Sequence, residues 1–251
     1  MTAGAPRQPA CLWAAFARGA RLALCVLLTS PVAAVAQEAV AARYEGAVTR
    51  YPHGVLGDEI EYDTLAVTLS DGRVLRRRWD APLVFEDVAP RLWDVTGDGL
   101  PEIVTIESHE TRGARLAVWA VTEGSLDPLA ATPFIGQRFR WLAPVGAADL
   151  DGDGAIEIAY VDRPHLAKTL RIWRYADGAL REVAAATGYT NHRIGWDYIA
   201  GGLRDCGGGP EMILASGDWS RVVALRFDGT LTARDLGAYS ADRIAAPVTC
   251  R

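Results

Sequence analysis

The chain has 251 residues, a formal charge of −5, half of its residues hydrophobic and 23% charged. An acidic balance of this kind lacks the basic footprint that nucleic-acid binding needs. After residue 36 no apolar run approaches the roughly 20 residues that cross a bilayer as a helix, so no such span is expected there.

Residues 1–36 contain no acid and three arginines, Arg7, Arg18 and Arg21. The apolar run LALCVLLTSPVAAVA ends in Ala34-Val35-Ala36. A basic start, a short apolar middle and a small-residue end read as a secretory signal peptide cleaved after Ala36. Losing this segment with its three arginines takes the formal charge from −5 to −8. The product is expected to be periplasmic or secreted, monomeric and free of any membrane span. Cys11 and Cys25 leave with the signal, whereas Cys206 and Cys250 remain. An even pair in an oxidising compartment predicts a disulfide between them.

Residues 37–251 are read as one repeat domain. Acid-Gly pairs recur at Asp71-Gly72, Glu123-Gly124, Asp177-Gly178 and Asp228-Gly229, with glycines 52, 54 and 51 apart. Each sits between two alternating apolar runs, the strongest short hairpin signal, because both turn residues need positive φ. A second marker is the acidic phrase DVTGDGLPEI at 94–103, repeated as DLDGDGAIEI at 149–158 and, degraded, as LRDCGGGPEM at 203–212. Its glycines Gly99, Gly154 and Gly208 lie 55 and 54 apart, and Glu102, Glu157 and Glu211 keep the same beat. In the best copy the expected strands are Val145–Leu150, Ile156–Val161, Leu170–Tyr175 and Ala179–Ala184. No sustained 3.6-residue periodicity appears, so helices should be scarce. Four-stranded units at this period predict an all-β propeller of about four blades, at 43–80, 88–132, 143–187 and 197–238, with a tail at 239–251. Five thinner blades would use the same markers. The first unit lacks an acidic turn.

The acidic phrases place oxygen donors at alternate positions. Counting Asp149 as 1, Asp151 is 3, Asp153 is 5 and Glu157 is 9, and the Ala155 carbonyl stands near 7. Gly152 and Gly154 permit the positive φ that so tight a loop requires. Hard oxygen ligands in this number suit Ca²⁺ better than Zn²⁺ or Mg²⁺. The earlier copy has Asp94, Thr96, Asp98, Leu100 and Glu102 at the same positions. A hydroxyl replaces one carboxylate there, so weaker binding is expected. The third copy, with Leu203, Asp205, Gly207 and Glu211, has lost two ligands and predicts no metal. Cys206 lies inside it, which suggests a covalent staple in place of an ionic one. The pattern is no EF-hand, because the last acid comes at 9 instead of 12 and a strand follows.

The stretches LWDVTGDGLPEI and VGAADLDGDGAIEI resemble the FG-GAP/VCBS repeat family, found in the propeller of integrin α subunits and in bacterial exported proteins. The likeness implies propeller blades whose loop between the first two strands binds Ca²⁺, here about two structural ions on the two sets of residues just named. Propeller geometry then puts the acidic turns and the Asp-Gly hairpins on one face. The opposite face collects all four histidines, His53, His109, His165 and His192, together with Arg138, Arg140, Trp141, Arg193, Trp196, Asp197 and Trp219. Arginine and aromatic residues in loops on a rigid scaffold fit a binding surface for a protein or a glycan. Taken singly, Trp141 and Trp196 read as plugs between blades and the histidines as solvated loop residues. No G-x-S-x-G, P-loop, G-x-G-x-x-G or H-E-x-x-H motif is present. The expected function is therefore a non-catalytic binding, adhesion or protein-interaction module. A periplasmic hydrolase or lyase acting on glycans through the loop face, and an assembly scaffold, are the alternatives.

Overall fold

Short alternating runs put one side of each segment in the interior, and the computed structural model accordingly forms seventeen strands and one helix among the residues it describes, Met1 and 37–250. Apart from Met1, the expected signal segment, with Cys11 and Cys25, lies outside the described residues. No helix among them is long and apolar enough to cross a membrane. Every strand pairing is antiparallel.

The first unit has three strands, β1 (Ala39–Val48), β2 (Glu61–Leu69) and β3 (Val74–Arg78). The second follows with β4 (Leu83–Phe85), β5 (Arg91–Trp93), β6 (Glu102–His109), β7 (Gly113–Thr122) and β8 (Ser125–Ala131). Strand β4 pairs both β2 and β6 and so joins the two units in one eight-stranded sheet. The third unit is the most regular. Strands β9 (Leu142–Ala148), β10 (Glu157–Asp162), β11 (Thr169–Ala176) and β12 (Ala179–Thr187) form one sheet in simple meander order. These are the four strands expected from the sequence, with ends shifted by at most three positions. The fourth unit comprises β13 (Tyr189–Thr190), β14 (Gly202–Asp205), β15 (Pro210–Ser216), β16 (Arg221–Phe227) and β17 (Leu231–Ala238).

The opening strand of the unit is where the copies diverge. In the third unit β9 is continuous, with a bulge at Val145 between its pairs Ala159–Gly146 and Tyr160–Pro144. In the second, β4 and β5 both pair β6, and residues 86–90 loop out between them. In the fourth, β13 and β14 both pair β15, and residues 191–201 loop out. An irregularity at this position is thus a bulge in one unit and an inserted loop in two. The short pieces β4 and β13 lie upstream of the expected units because segments so short carry no readable periodicity.

The hairpins at Glu123-Gly124 and Asp177-Gly178 have positive φ at both residues, as expected; at the other two acid-Gly pairs only Gly72 and Gly229 do. One large apolar cluster runs through the second, third and fourth units, from Val104 and Leu116 through Ile158 and Leu170 to Leu214 and Leu225. The tail forms α1 (Ala241–Val248), too short to show in a search for sustained periodicity. Ser240 caps it by accepting from the Arg243 amide (3.1 Å), and Ile244 buries against Ile213 and Ala224. Cys250, just beyond it, forms the expected disulfide with Cys206.

Candidate functional site

The acidic turns and the loop cluster stand at opposite ends of the same strands: residues 149–156 precede β10 and residues 163–168 follow it. The extended backbone of β10 separates them by roughly 20 Å.

In the turn 149–157 the carboxylate of Asp149 accepts the amides of Gly152 (2.7 Å), Asp153 (3.1 Å) and Gly154 (3.0 Å). Gly152 and Gly154 have φ of 80° and 89°, as the tight loop requires. Oxygens of Asp149, Asp151 and Asp153 lie within 4.8 Å of one another. The cation that meets them belongs to the chain. Arg174, on β11, reaches Glu157 (2.5 Å), Asp151 (2.5 Å) and Asp153 (2.7 Å) with its three guanidinium nitrogens. The cross-strand register places it there, because Glu157 pairs with Arg174. Hydrogen bonding to Glu157 holds Arg174 firmly protonated, while burial pushes the Glu157 carboxyl above its ordinary range.

The turn 94–102 has the same backbone and a different charge balance. Asp94 accepts the amides of Gly97 (2.7 Å) and Gly99 (2.9 Å), Asp98 that of Leu100 (2.8 Å), and Glu102 those of Val95 (2.7 Å) and Thr96 (3.1 Å). Ile103 pairs with Trp119, so Glu102 faces Ala120 where Glu157 faces Arg174. Burial raises the Glu102 carboxyl.

The third turn is ionic after all, in addition to its disulfide. Glu211 is held by Arg204, Arg226 (2.9 Å) and Arg234 (2.9 Å). Burial pushes its carboxyl up, but the three guanidiniums outweigh that and hold it at about 2. Arg226 occupies the cross-strand position of Arg174, since Met212 pairs with Leu225. The positive-φ glycines are Gly207 and Gly209, so Gly209, and not Gly208, corresponds to Gly154. One residue is missing between that glycine and the glutamate.

At the other end the loops of three units converge on a cavity of about 230 Å³. Its walls include His53, Phe139, Arg140, Trp141, His165 and Ile194. None of its lining side chains carries a carboxylate, hydroxyl, thiol or amine. His53 stacks on Phe139 (5.1 Å between centroids), and Trp141 is buried, its indole N–H donating to the Glu86 carbonyl (2.7 Å). Behind the wall the inserted loop 86–90 contributes Glu86, fully buried and bonded to His53 and Ser108. Its desolvation raises the carboxyl.

The inserted loop 191–201 contributes a hydrogen-bond relay that sets tautomers. A carbonyl only accepts, so His192 donates from Nε2 to the Trp196 carbonyl (2.9 Å). His192 Nδ1 then accepts from Nε2 of His165 (3.0 Å). Burial, and then His192, hold His165 down at about 4, and burial lowers His192 too. Both rings are therefore neutral at pH 7, and His165 keeps a bare Nδ1. Arg163 is neutralised by Asp162 (2.8 and 2.9 Å). Arg140 donates to the Phe139 carbonyl (2.6 Å) and has no carboxylate partner among the described residues.

Of the residues expected on this face, His53, Arg140, Trp141 and His165 line the cavity and His192 stands directly behind it. Arg138 lies outside, over the Phe139 ring at 4.3 Å. Arg193 and Trp196 belong to a neighbouring aromatic group: Arg193 sits over Trp219 (4.3 Å) and Trp196 stacks on Tyr198 (4.5 Å). Asp197 is exposed and joins neither. His109 packs apart, edge-on to Phe134. Phe139 and Ile194 were missed as site residues. The signal for the first was present in the run Arg138-Phe139-Arg140-Trp141, which alternates cation and ring; Ile194 between an arginine and a glycine carries none.

Residues 94–160, about a quarter of the chain, match the model of a family described as FG-GAP-like repeat. The match runs from Asp94 of one acidic turn, through the second turn, to Tyr160 on β10. No curated protein matches the chain. The recurring acidic turn and the antiparallel units that carry it agree with this match, so that over residues 94–160 the chain is similar to the FG-GAP-like repeat family.

Proposed function

We propose that this chain is an exported, non-catalytic module of propeller type that binds a protein partner through the loop face at His53, Phe139, Arg140 and His165. What carries the reading is the composition of the cavity: aromatic walls and one unpaired guanidinium, with no hydroxyl, thiol, amine or carboxylate among the side chains that line it. Binding surfaces favour such aromatic and arginine anchors. Immobilised protein should retain a partner from an exported-protein fraction and release it when Arg140 is changed to Gln. Turnover of glycan substrates that disappears in His165→Asn would sink the reading in favour of a hydrolase or lyase.

The acidic turns serve stability in this proposal. Asp94, Thr96, Asp98, Leu100 and Glu102 would hold Ca²⁺ in the turn that has no cation of its own among the described residues, and Ca²⁺ would neutralise and order it. Asp149, Asp151, Asp153, Ala155 and Glu157 would hold Ca²⁺ only against the competition of Arg174. The order of affinity expected from carboxylate number alone is therefore reversed. Thermal melting of Asp98→Asn and Asp153→Asn, each with Ca²⁺ and with chelator, separates the two turns. The Ca²⁺-induced rise in melting temperature should vanish in the first and persist in the second.

A further inference from the structure

We propose that the loop-face cavity captures an apolar side chain with a carboxylate beside it and an N–H donor next to both, the chemistry of a C-terminal residue or of a free acylated amino acid. The proposal rests on the binding-module reading above and names its ligand. Three independent observations lead to it.

The rim is apolar and open. Ile194 and Leu166 line the cavity and are 71% and 63% exposed, more than any other large apolar side chain among the described residues except Met1. Two such side chains flanking one opening mark a place where apolar surface is meant to be covered. Inside, Phe139, Trp141 and Val55 continue the apolar wall.

The charge is one-sided. Arg140 is the lining cation without a carboxylate partner among the described residues, and no carboxylate lines the cavity to repel an incoming one. Guanidinium and carboxylate match in planar geometry, and a partly desolvated pair is stronger than an exposed one. The neutral His165 offers its bare Nδ1 as an acceptor, and the amide N–H of an acylated residue is the complementary donor.

The backbone is held in an unfavourable conformation at the same place. Phe139 and Arg163, both lining the cavity, have φ of 56° and 48°. Side chains other than glycine rarely adopt this left-handed region, and such residues gather where a ligand is held. The Phe139 amide is fixed by donating to the hydroxyl of fully buried Tyr51 (2.8 Å), so the loop is set before any ligand arrives.

The test is fluorescence anisotropy with dye-labelled hexapeptides ending in phenylalanine or leucine, as free acids and as C-terminal amides. The free acid should bind at least about tenfold more tightly than the amide. Arg140→Gln and Ile194→Asp should each weaken the acid by about tenfold or more with unchanged melting temperature, since Ile194 is exposed and Arg140 bonds only a carbonyl. Competition by N-acetylphenylalanine at similar affinity would assign the site to a free small acid; competition by peptides alone would assign it to a protein terminus. Equal binding of acid and amide, undiminished binding by Arg140→Gln, or no binding of either peptide overturns the proposal. A partner protein still retained in that last case would leave the binding-module reading standing.

Discussion

Arg174→Gln tests whether the acidic turn 149–157 is neutralised from within. The substitution removes three charge-assisted contacts at 2.5 to 2.7 Å. They are unequal. The Asp153 side chain is 46% exposed, so its pair contributes little, whereas Glu157 is fully buried. Breaking a buried pair from one side costs about 3–5 kcal/mol. Arg174 is 23% exposed, and Glu157 can take up a proton once its partner is gone, which together reduce the loss to about 2–3 kcal/mol. For a domain of this size that is a fall in melting temperature of roughly 5–10 °C. The loss should be reversible by metal. Four acids facing one guanidinium leave a net charge of −3; without it, and with a divalent ion present to keep Glu157 ionised, the acids offer −4 and the guanidinium's repulsion of several kcal/mol toward that ion is gone. Calorimetric melts of wild type and variant, each in about 5 mM Ca²⁺ and in chelator, should give the variant the larger Ca²⁺ shift. A variant that melts within about 1 °C of wild type, or one whose Ca²⁺ shift equals that of wild type, refutes the idea that Arg174 is the cation of this turn.

Reduction of Cys206–Cys250, separated by 44 residues, should destabilise the chain by about 4 kcal/mol in the chain-entropy model. The corresponding fall in melting temperature is of order 10 °C, and the Cys206→Ser chain should show it without any added reductant. For His165 the folded value of about 4 lies below the unfolded value of about 6.5. Below 6.5 the unfolded chain therefore binds a proton that the folded chain refuses. Stability from this group is complete above pH 6.5 and declines as the pH falls from 6.5 toward 4. His165→Asn should flatten that limb in denaturant titrations at stepped pH, and an unchanged slope would show that the relay to His192 does not govern it.

Local chemistry was legible in the sequence wherever it repeats. Gly97, Gly99, Gly152 and Gly154 announced positive φ, paired acids announced a tight oxygen-lined turn, and acid-Gly pairs between alternating runs announced hairpins, since each depends on residues close together in the chain. The strands of the third unit followed for the same reason, and the Cys206–Cys250 bridge followed from elimination, as the even pair left outside the expected signal segment. What neutralises each turn was decided elsewhere. Whether Glu102, Glu157 or Glu211 faces an arginine depends on cross-strand register, and Ala120, Arg174 and Arg226 all stand on the next strand, beyond the reach of the turn's own motif. The cavity is more remote still. His53 and Ile194, from the first and last units, meet there only because the units pack side by side. The inserted loops at 86–90 and 191–201 interrupt strands whose halves are too short to carry a pattern. Tertiary packing alone also decided that Trp141 serves as a core plug and a cavity wall at once. Burial first, and then the neighbouring His192, keep His165 neutral, because packing removes the water that would otherwise solvate its charge.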